Sequence, residues 1–206
     1  MKKLYCLVIV CFLSHAAIAQ LDSILNQGVY RTYILHLPLG YTATKQYPLV
    51  INMHGLNSNA AEQQVYTQFD LVADASGFIV VYPNAINSSW ALAGTTDVNF
   101  ISALIIKIGQ TYALNTCLFS TGMSDGAFMT YKLACTLPQR LTAIAPVAGN
   151  MSTTLQNSCA PTYPIPLMHF HGTADPLVNY NGTIGIPSVT TTINWWSLKT
   201  IVPRPP

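Results

Sequence analysis

The sequence predicts an α/β fold in which a mostly parallel sheet is flanked on both faces by helices. Three observations predict it. Short apolar runs of β character recur along the chain, separated by longer stretches with helical periodicity. Glycine or proline punctuates these runs. One run leads straight into Gly122-Met123-Ser124-Asp125-Gly126, and a helical pattern follows at once. Strands separated by helices of this length need right-handed crossovers, and hence parallel pairing.

Taken in order, residues 28–38 alternate as a strand, and Gly40, Tyr41 and Pro48 bound the next turn. Residues 49–53 read as a buried strand. Asn59 is placed to cap a helix over 60–75, with Ala61, Val65, Phe69, Leu71 and Val72 near one face and Gly77 ending it. Residues 78–82 form a strand closed by Pro83. Asp97 is expected to cap a helix over 98–112, and 116–121 is the strand entering the serine turn. A helix over 127–137, a strand over 141–147, a loop holding Cys159, a strand over 165–170 and a helix over 188–198 complete the pattern. No linker interrupts it, so residues 20–206 are expected to form one domain.

Composition narrows the function. The 206 residues are 50% hydrophobic and 8% charged, which excludes a disordered chain and a nucleic-acid binder. The net charge of +2 comes from Lys2 and Lys3; without them seven basic residues face seven acidic ones. Residues 1–19 have the form of a secretory signal peptide, with Lys2 and Lys3 before an apolar run at 4–13 and the small-x-small site Ala17-Ile18-Ala19. That run is too short to anchor the chain stably in a membrane. A secreted protein, extracellular or periplasmic, is expected, starting near Gln20. Cys6 and Cys11 leave with the leader. Export permits a disulfide, and Cys135 with Cys159 is the expected pair, Cys117 being a buried thiol in the strand before the serine.

The chemistry centres on Ser124. A serine on a tight strand-to-helix turn adopts a strained backbone that lifts its hydroxyl clear of the sheet, and residues two before and two after it must be small. Gly122 and Gly126 meet that need. An acyl-transfer site requires a nucleophile, a base, an orienting carboxylate and two oxyanion donors. The N–H of Asp125 is the first donor. The second is expected from the turn after strand 49–53, where Gly55 lets the backbone approach and offers the N–H of Leu56. Asp175, just past strand 165–170, is the expected acid. No metal-ligand spacing is visible.

These stretches resemble the secreted polyhydroxybutyrate depolymerase-like esterases, close to feruloyl and acetyl-xylan esterases of the α/β-hydrolase superfamily. The resemblance rests on PLVINMHG at 48–55, ADASGFIVVYP at 73–83, DVNFI at 97–101, GMSDG at 122–126, LAC at 133–135, AIAPVAG at 143–149 and HGTADP at 171–176. It implies an α/β-hydrolase fold, hydrolysis of carboxylic esters without metal or organic cofactor, and a polyester or plant-cell-wall ester as substrate. It also implies Ser124 as nucleophile, Asp175 as acid, and Leu56 and Asp125 as oxyanion donors.

One departure stands out. The resemblance implies a catalytic histidine after one more strand, yet no histidine follows Asp175. His15 lies in the leader, His36 in the first strand, and His54 in the oxyanion turn. His169 and His171 flank Phe170 and are expected to fix the acid loop by hydrogen bonds. Pro203 and Pro205 do not suit a final strand. The expectation is therefore a C-terminally truncated or frameshifted esterase domain, with the last strand and histidine loop missing and activity impaired. Two alternatives stand beside it: a catalytically inactive binding module or fragment, and a peptidase of the same fold. Trp90, Tyr82 and Tyr180 either line the rim and bind substrate or belong to the core.

Overall fold

The computed structural model describes residues 20–200; the leader expected at 1–19 and the tail holding Pro203 and Pro205 lie outside the described residues. The chain opens with strands β1 (Gln20–Asn26) and β2 (Val29–His36), joined by the two-residue turn Gln27-Gly28. Both turn residues have positive φ, 50° and 81°, the twist that suits a tight hairpin. Strand β3 (Tyr47–Met53) follows, then α1 (Ala60–Thr67), α2 (Phe69–Ser76) and β4 (Ile79–Pro83). Next come α3 (Thr96–Thr111), β5 (Leu114–Met123), α4 (Asp125–Thr136), β6 (Ala143–Val147), α5 (Thr153–Ser158) and α6 (Val189–Lys199).

The six strands form one mixed sheet in the order β1-β2-β4-β3-β5-β6. Strands β4, β3, β5 and β6 pair in parallel, whereas β2 is antiparallel to both β1 and β4. Alternation sends Leu49, Ile51 and Met53 of β3 into the larger core, with Phe100, Leu104, Met129 and Tyr131 of α3 and α4. Val50, Val80 and Tyr82 pack on the other face with Ala60 and Ala73. At the far end Trp196 of α6 donates to the Ile165 carbonyl and meets the Tyr131 ring edge-on at 5.6 Å. The expected Cys135–Cys159 disulfide ties the end of α4 to the end of α5, and Cys117 is a half-buried free thiol. No described helix is long and apolar enough to cross a membrane.

Four expectations are corrected. The helix expected over 60–75 is two helices, because Gln68 turns left-handed (φ 49°) and its N–H closes α1 on Gln64. The residues expected on its inner face, Val65, Leu71 and Val72, are exposed, and Ala60, Gln63 and Ala73 are buried instead. The strand expected over 165–170 lies beside β6 and exchanges backbone hydrogen bonds with it through Pro166, Met168 and Phe170, but the pairing is broken into two isolated bridges, at Leu167 and Phe170. Pro146 in β6 has no N–H to give, so a regular ladder cannot form there. Asp97 does not cap α3, whose N-cap is Thr95. It is buried, 2.7 Å from the Arg31 guanidinium, and its other oxygen accepts the Ala91 N–H. His36 is likewise buried and off the sheet edge, held by Asp74 at 2.8 Å.

The Arg31–Asp97 pair joins β2, α3 and the loop after β4. Arg31 also stacks over the Phe100 ring at 3.9 Å and donates to the Asn84 carbonyl. Removing one partner strands a charge in the core. Arg31→Met is expected to lower the unfolding free energy by about 3–5 kcal/mol, whereas Arg31→Met with Asp97→Leu recovers most of that loss. Urea unfolding of the three proteins checks this.

Candidate active site

Strand β5 ends at Met123 and α4 begins at Asp125, so Ser124 alone makes the turn, at φ 53° and ψ −114°. A non-glycine residue held there carries about 1–3 kcal/mol of strain. Its N–H donates to the Val147 carbonyl, while its own carbonyl accepts from Ala127 and Phe128. The side chain makes no capping bond to α4, which leaves the hydroxyl free of its own helix. The glycines are required by contact. A methyl group at Gly122 would stand 2.6 Å from the Gly126 backbone, and one at Gly126 would stand 2.7 Å from the His54 carbonyl oxygen and closer still to that of Met53. Gly149 is equally confined, against the Ser124 carbonyl.

This close approach brings the turn after β3 to the serine. The Cβ position of Gly55 lies 3.6 Å from Ser124 Cβ. His54 is fully buried and orients that turn. Its Nε2 accepts the Ala85 N–H at 3.1 Å, so the ring proton sits on Nδ1, which donates to the Gly55 carbonyl at 2.7 Å. In a trans peptide the N–H points opposite the C=O, so the Leu56 N–H is turned away from the imidazole. Among the described residues, no acceptor takes it. The Asp125 N–H, first in α4, is free for the same reason that every helix start is. Burial pushes the His54 pKa down, keeping the ring neutral in this arrangement.

The loop after β4 locks the two halves together. Trp90 donates its indole N–H to the His54 carbonyl and its backbone N–H to the Asp125 carboxylate, each at 2.9 Å. The Asn57 N–H bonds the Ser88 carbonyl. Burial raises the Asp125 pKa against the lowering effect of the Trp90 bond. Trp90 and Tyr82 are therefore core residues, not rim aromatics, while Tyr180 is half-buried with its ring edge on His171.

Asp175 lies in the turn after residues 165–170. Its Oδ1 accepts from the Val178 and Leu177 N–H groups, which hold its pKa below the usual carboxylate value. Its Oδ2 is 3.5 Å from His171 Nε2. His171 Nε2 donates to the Val178 carbonyl at 2.6 Å, so its Nδ1 accepts from His169 Nε2 at 3.2 Å. His169 Nδ1 in turn accepts the Tyr131 hydroxyl proton at 2.8 Å. This chain fixes the Asp175 loop. Ser124, Gly55 with Leu56, and Asp125 are brought together; Asp175 is tied to its own loop and to His171. Each of the four described histidines has its hydrogen bonds elsewhere than Ser124. The sequence reading missed a cleft beside the serine, lined by Ala61, Val65, Tyr66 and Met123. The only available signal was apolar residues on α1 that a core-facing stripe also explains.

Residues 31–189 match the family model described as esterase PHB depolymerase. The chain is 30% identical over 163 residues to a bifunctional acetylxylan esterase/xylanase of Neocallimastix patriciarum, covering 78% of this chain and 24% of that protein. It is 30% identical over 160 residues to a probable feruloyl esterase C of Aspergillus terreus, covering 75% and 58%. The chain thus spans less than two thirds of the length of these curated relatives. Among solved structures it is similar to a thermostable esterase (TM-score 0.64, 19% identity, 88% of this chain and 51% of that one). It is also similar to a ferulic acid esterase of Anaeromyces mucronatus (TM-score 0.62, 18% identity, 83% and 78%). These likenesses establish the α/β-hydrolase fold.

The neutral His169 sets a pH dependence. Burial and the facing His171 lower its pKa from 6.5 to about 4. Between those values the unfolded chain binds a proton that the folded chain does not, so stability rises with pH across that window. The contribution is complete above pH 6.5 and lost as pH falls towards 4. His54 acts in the same direction, and Asp125, with its raised pKa, in the opposite one. The His169→Gln variant is expected to show a shallower loss of stability between pH 6.5 and 4, measured by urea unfolding at each pH.

Proposed function

The chain belongs to the PHB depolymerase esterase family, and from that premise we propose that it is a secreted serine hydrolase of carboxylic esters. The observation that carries this reading is Ser124 at positive φ, beside two N–H groups that no described residue accepts. In this mechanism the Ser124 hydroxyl attacks the ester carbonyl, and the N–H groups of Leu56 and Asp125 receive the developing oxyanion. The alcohol leaves, an ester to Ser124 remains, and water releases the acid. Asp175 is the carboxylate placed to orient a general base, which takes the Ser124 proton and passes it to the leaving alcohol; no described histidine supplies that base, so turnover is impaired. A polyester or plant-cell-wall ester fits the names of the feruloyl and acetylxylan esterase relatives. The leader pattern at 1–19 supports export, with residues 20–206 as the hydrolase domain.

A second reading has its own support. The described histidines are all engaged away from Ser124, and losing the base from a serine triad costs about 10⁶ in kcat. A module that binds the ester without turning it over follows from that arithmetic. Labelling of the folded protein with a fluorophosphonate, read by intact mass, separates the two. Slow formation of one adduct is expected, abolished by Ser124→Ala, with p-nitrophenyl butyrate preferred to a peptide anilide. No adduct in a folded protein would overturn the hydrolase reading and leave the binding module.

A further inference from the structure

The two faces of the sheet are covered unequally. Helices α3, α4 and α6 bring Phe100, Met129, Tyr131 and Trp196 to the face that carries Leu49 and Ile51. The other face carries Val50 of β3, and the register puts Phe119 and Thr121 of β5, and Ala145 and Val147 of β6, on the same side. Phe170 pairs with Val147 and extends this face, and Met168, two residues earlier, shares it. Helices α1 and α2 cover only its β3 and β4 part, where Ala60 and Ala73 pack with Val50, Val80 and Tyr82. Among the described residues, no helix lies over β5 and β6 on this side.

Parallel strands normally bury both faces, because their crossovers bring helices to each. Here the bare strip forms a trough of about 300 Å³ along α2, with Val50, Phe119, Thr121 and Ala145 as its floor and Phe69 and Val72 as its wall. Val65, Tyr66, Leu71, Val72, Met168 and Phe170, on the helices and strands of this side, are each 46–74% exposed. Together they leave on the order of 700 Å² in water, beyond the roughly 300–600 Å² of the largest apolar patch on a typical monomer. A stable interface buries roughly 800 Å² on each partner, so a second surface of the same size would match this one.

Charge and shape select the occupant. No charged side chain lines the trough, so a charged partner finds nothing there to recognise, while two copies meet without burying an ion. The strip made by β5, β6 and residues 166–170 is three strands wide, roughly 10–14 Å, the breadth of one helix with its side chains. Beside it, α2 stands as a ridge carrying Leu71 and Val72. The face therefore holds both a ridge and a trough that fits one.

We propose that the chain forms a twofold dimer through this face, the α2 ridge of one copy filling the trough beside α2 of the other. A twofold axis makes the contact reciprocal, so both troughs close at once and no surface is left over to recruit a third copy. The partner's helix supplies the layer that the parallel strands lack. This inference rests on how the sheet is covered and is independent of the role of Ser124.

Sedimentation velocity of the purified protein over a range of micromolar concentrations tests it, since a dimer that forms by mass action grows with concentration. Val72→Glu and Phe170→Glu each put a carboxylate into the contact from a part-exposed position. Each is expected to weaken association at least about a hundredfold while keeping the wild-type far-UV dichroism of a folded chain. Ile106→Glu, at an exposed position of α3 behind the opposite face, is expected to leave the dimer intact. Hydrogen exchange of the wild type needs no variant: segments 69–76 and 166–170 are expected to exchange more slowly in the dimer than in the dilute monomer. A wild type that stays monomeric overturns the proposal, and so does association that runs past the dimer. A dimer that survives both glutamate variants, or that Ile106→Glu dissociates, places the contact elsewhere and overturns it equally. A monomer that binds 1-anilinonaphthalene-8-sulfonate, and loses it with Val72→Glu, assigns the face to an apolar ligand or a different chain instead.

Discussion

Everything at this site depends on how closely the start of α4 approaches the end of β3. At Gly122, Gly126 and Gly149 the backbones pass so near one another that no side chain fits. With a larger residue at Gly122 or Gly126, the turn would back away from Met53 and His54. The strain at Ser124 persists because its surroundings over-determine it: one bond to Val147 on the neighbouring strand, and two from the first turn of α4. Close packing here takes the place that a ligand or metal holds in other sites. It sets the geometry before any substrate arrives.

Buried polar groups then hold the loops to that geometry. His54, Trp90, Asp125, Asp97 and Arg31 form a connected series of contacts from the turn after β3 through the loop after β4 to α3 and β2. Most of its members are nearly inaccessible to water, so each missing partner would cost a full desolvation penalty. That asymmetry makes the network specify one loop arrangement even where its net stabilisation is small. It also explains why Trp90 belongs to the core and not to the rim. Trp90 fills the space between His54 and Asp125, where its two N–H groups find acceptors.

Much of this was legible in the sequence because it depends on local chemistry. Ser124 between two glycines, Asn59 three residues before Glu62, Gly77 after its helix and the Cys135–Cys159 pair all read correctly. The failures share a cause: tertiary context outweighed the local pattern. Strand β1 was missed because its apolar residues Leu21 and Leu25 stay exposed and its turn uses Gln27 where asparagine is usual. The break at Gln68 has no glycine or proline to announce it. Asp97 looked like a cap because a carboxylate at a helix start normally is one, and only the arrival of Arg31 from 66 positions earlier in the chain gives it another partner.

The acid loop shows how far preorganisation extends beyond the serine. Asp175 spends Oδ1 on two backbone N–H groups, so under the proposed reading only Oδ2 is available to an imidazole. His171, 3.5 Å from that oxygen, is poorly suited to be the base itself. Its Nε2 proton is committed to the Val178 carbonyl and its Nδ1 lone pair to His169, and turning towards Ser124 would break both bonds. The bonds run in one direction from Tyr131 to Val178, and every donor in the series meets an acceptor only while both rings stay neutral. The low pKa of His169 keeps that ring neutral. The pair of histidines therefore serves the loop and not the proton transfer: it holds an ionised Asp175 with one oxygen free, the form in which a carboxylate can orient a base.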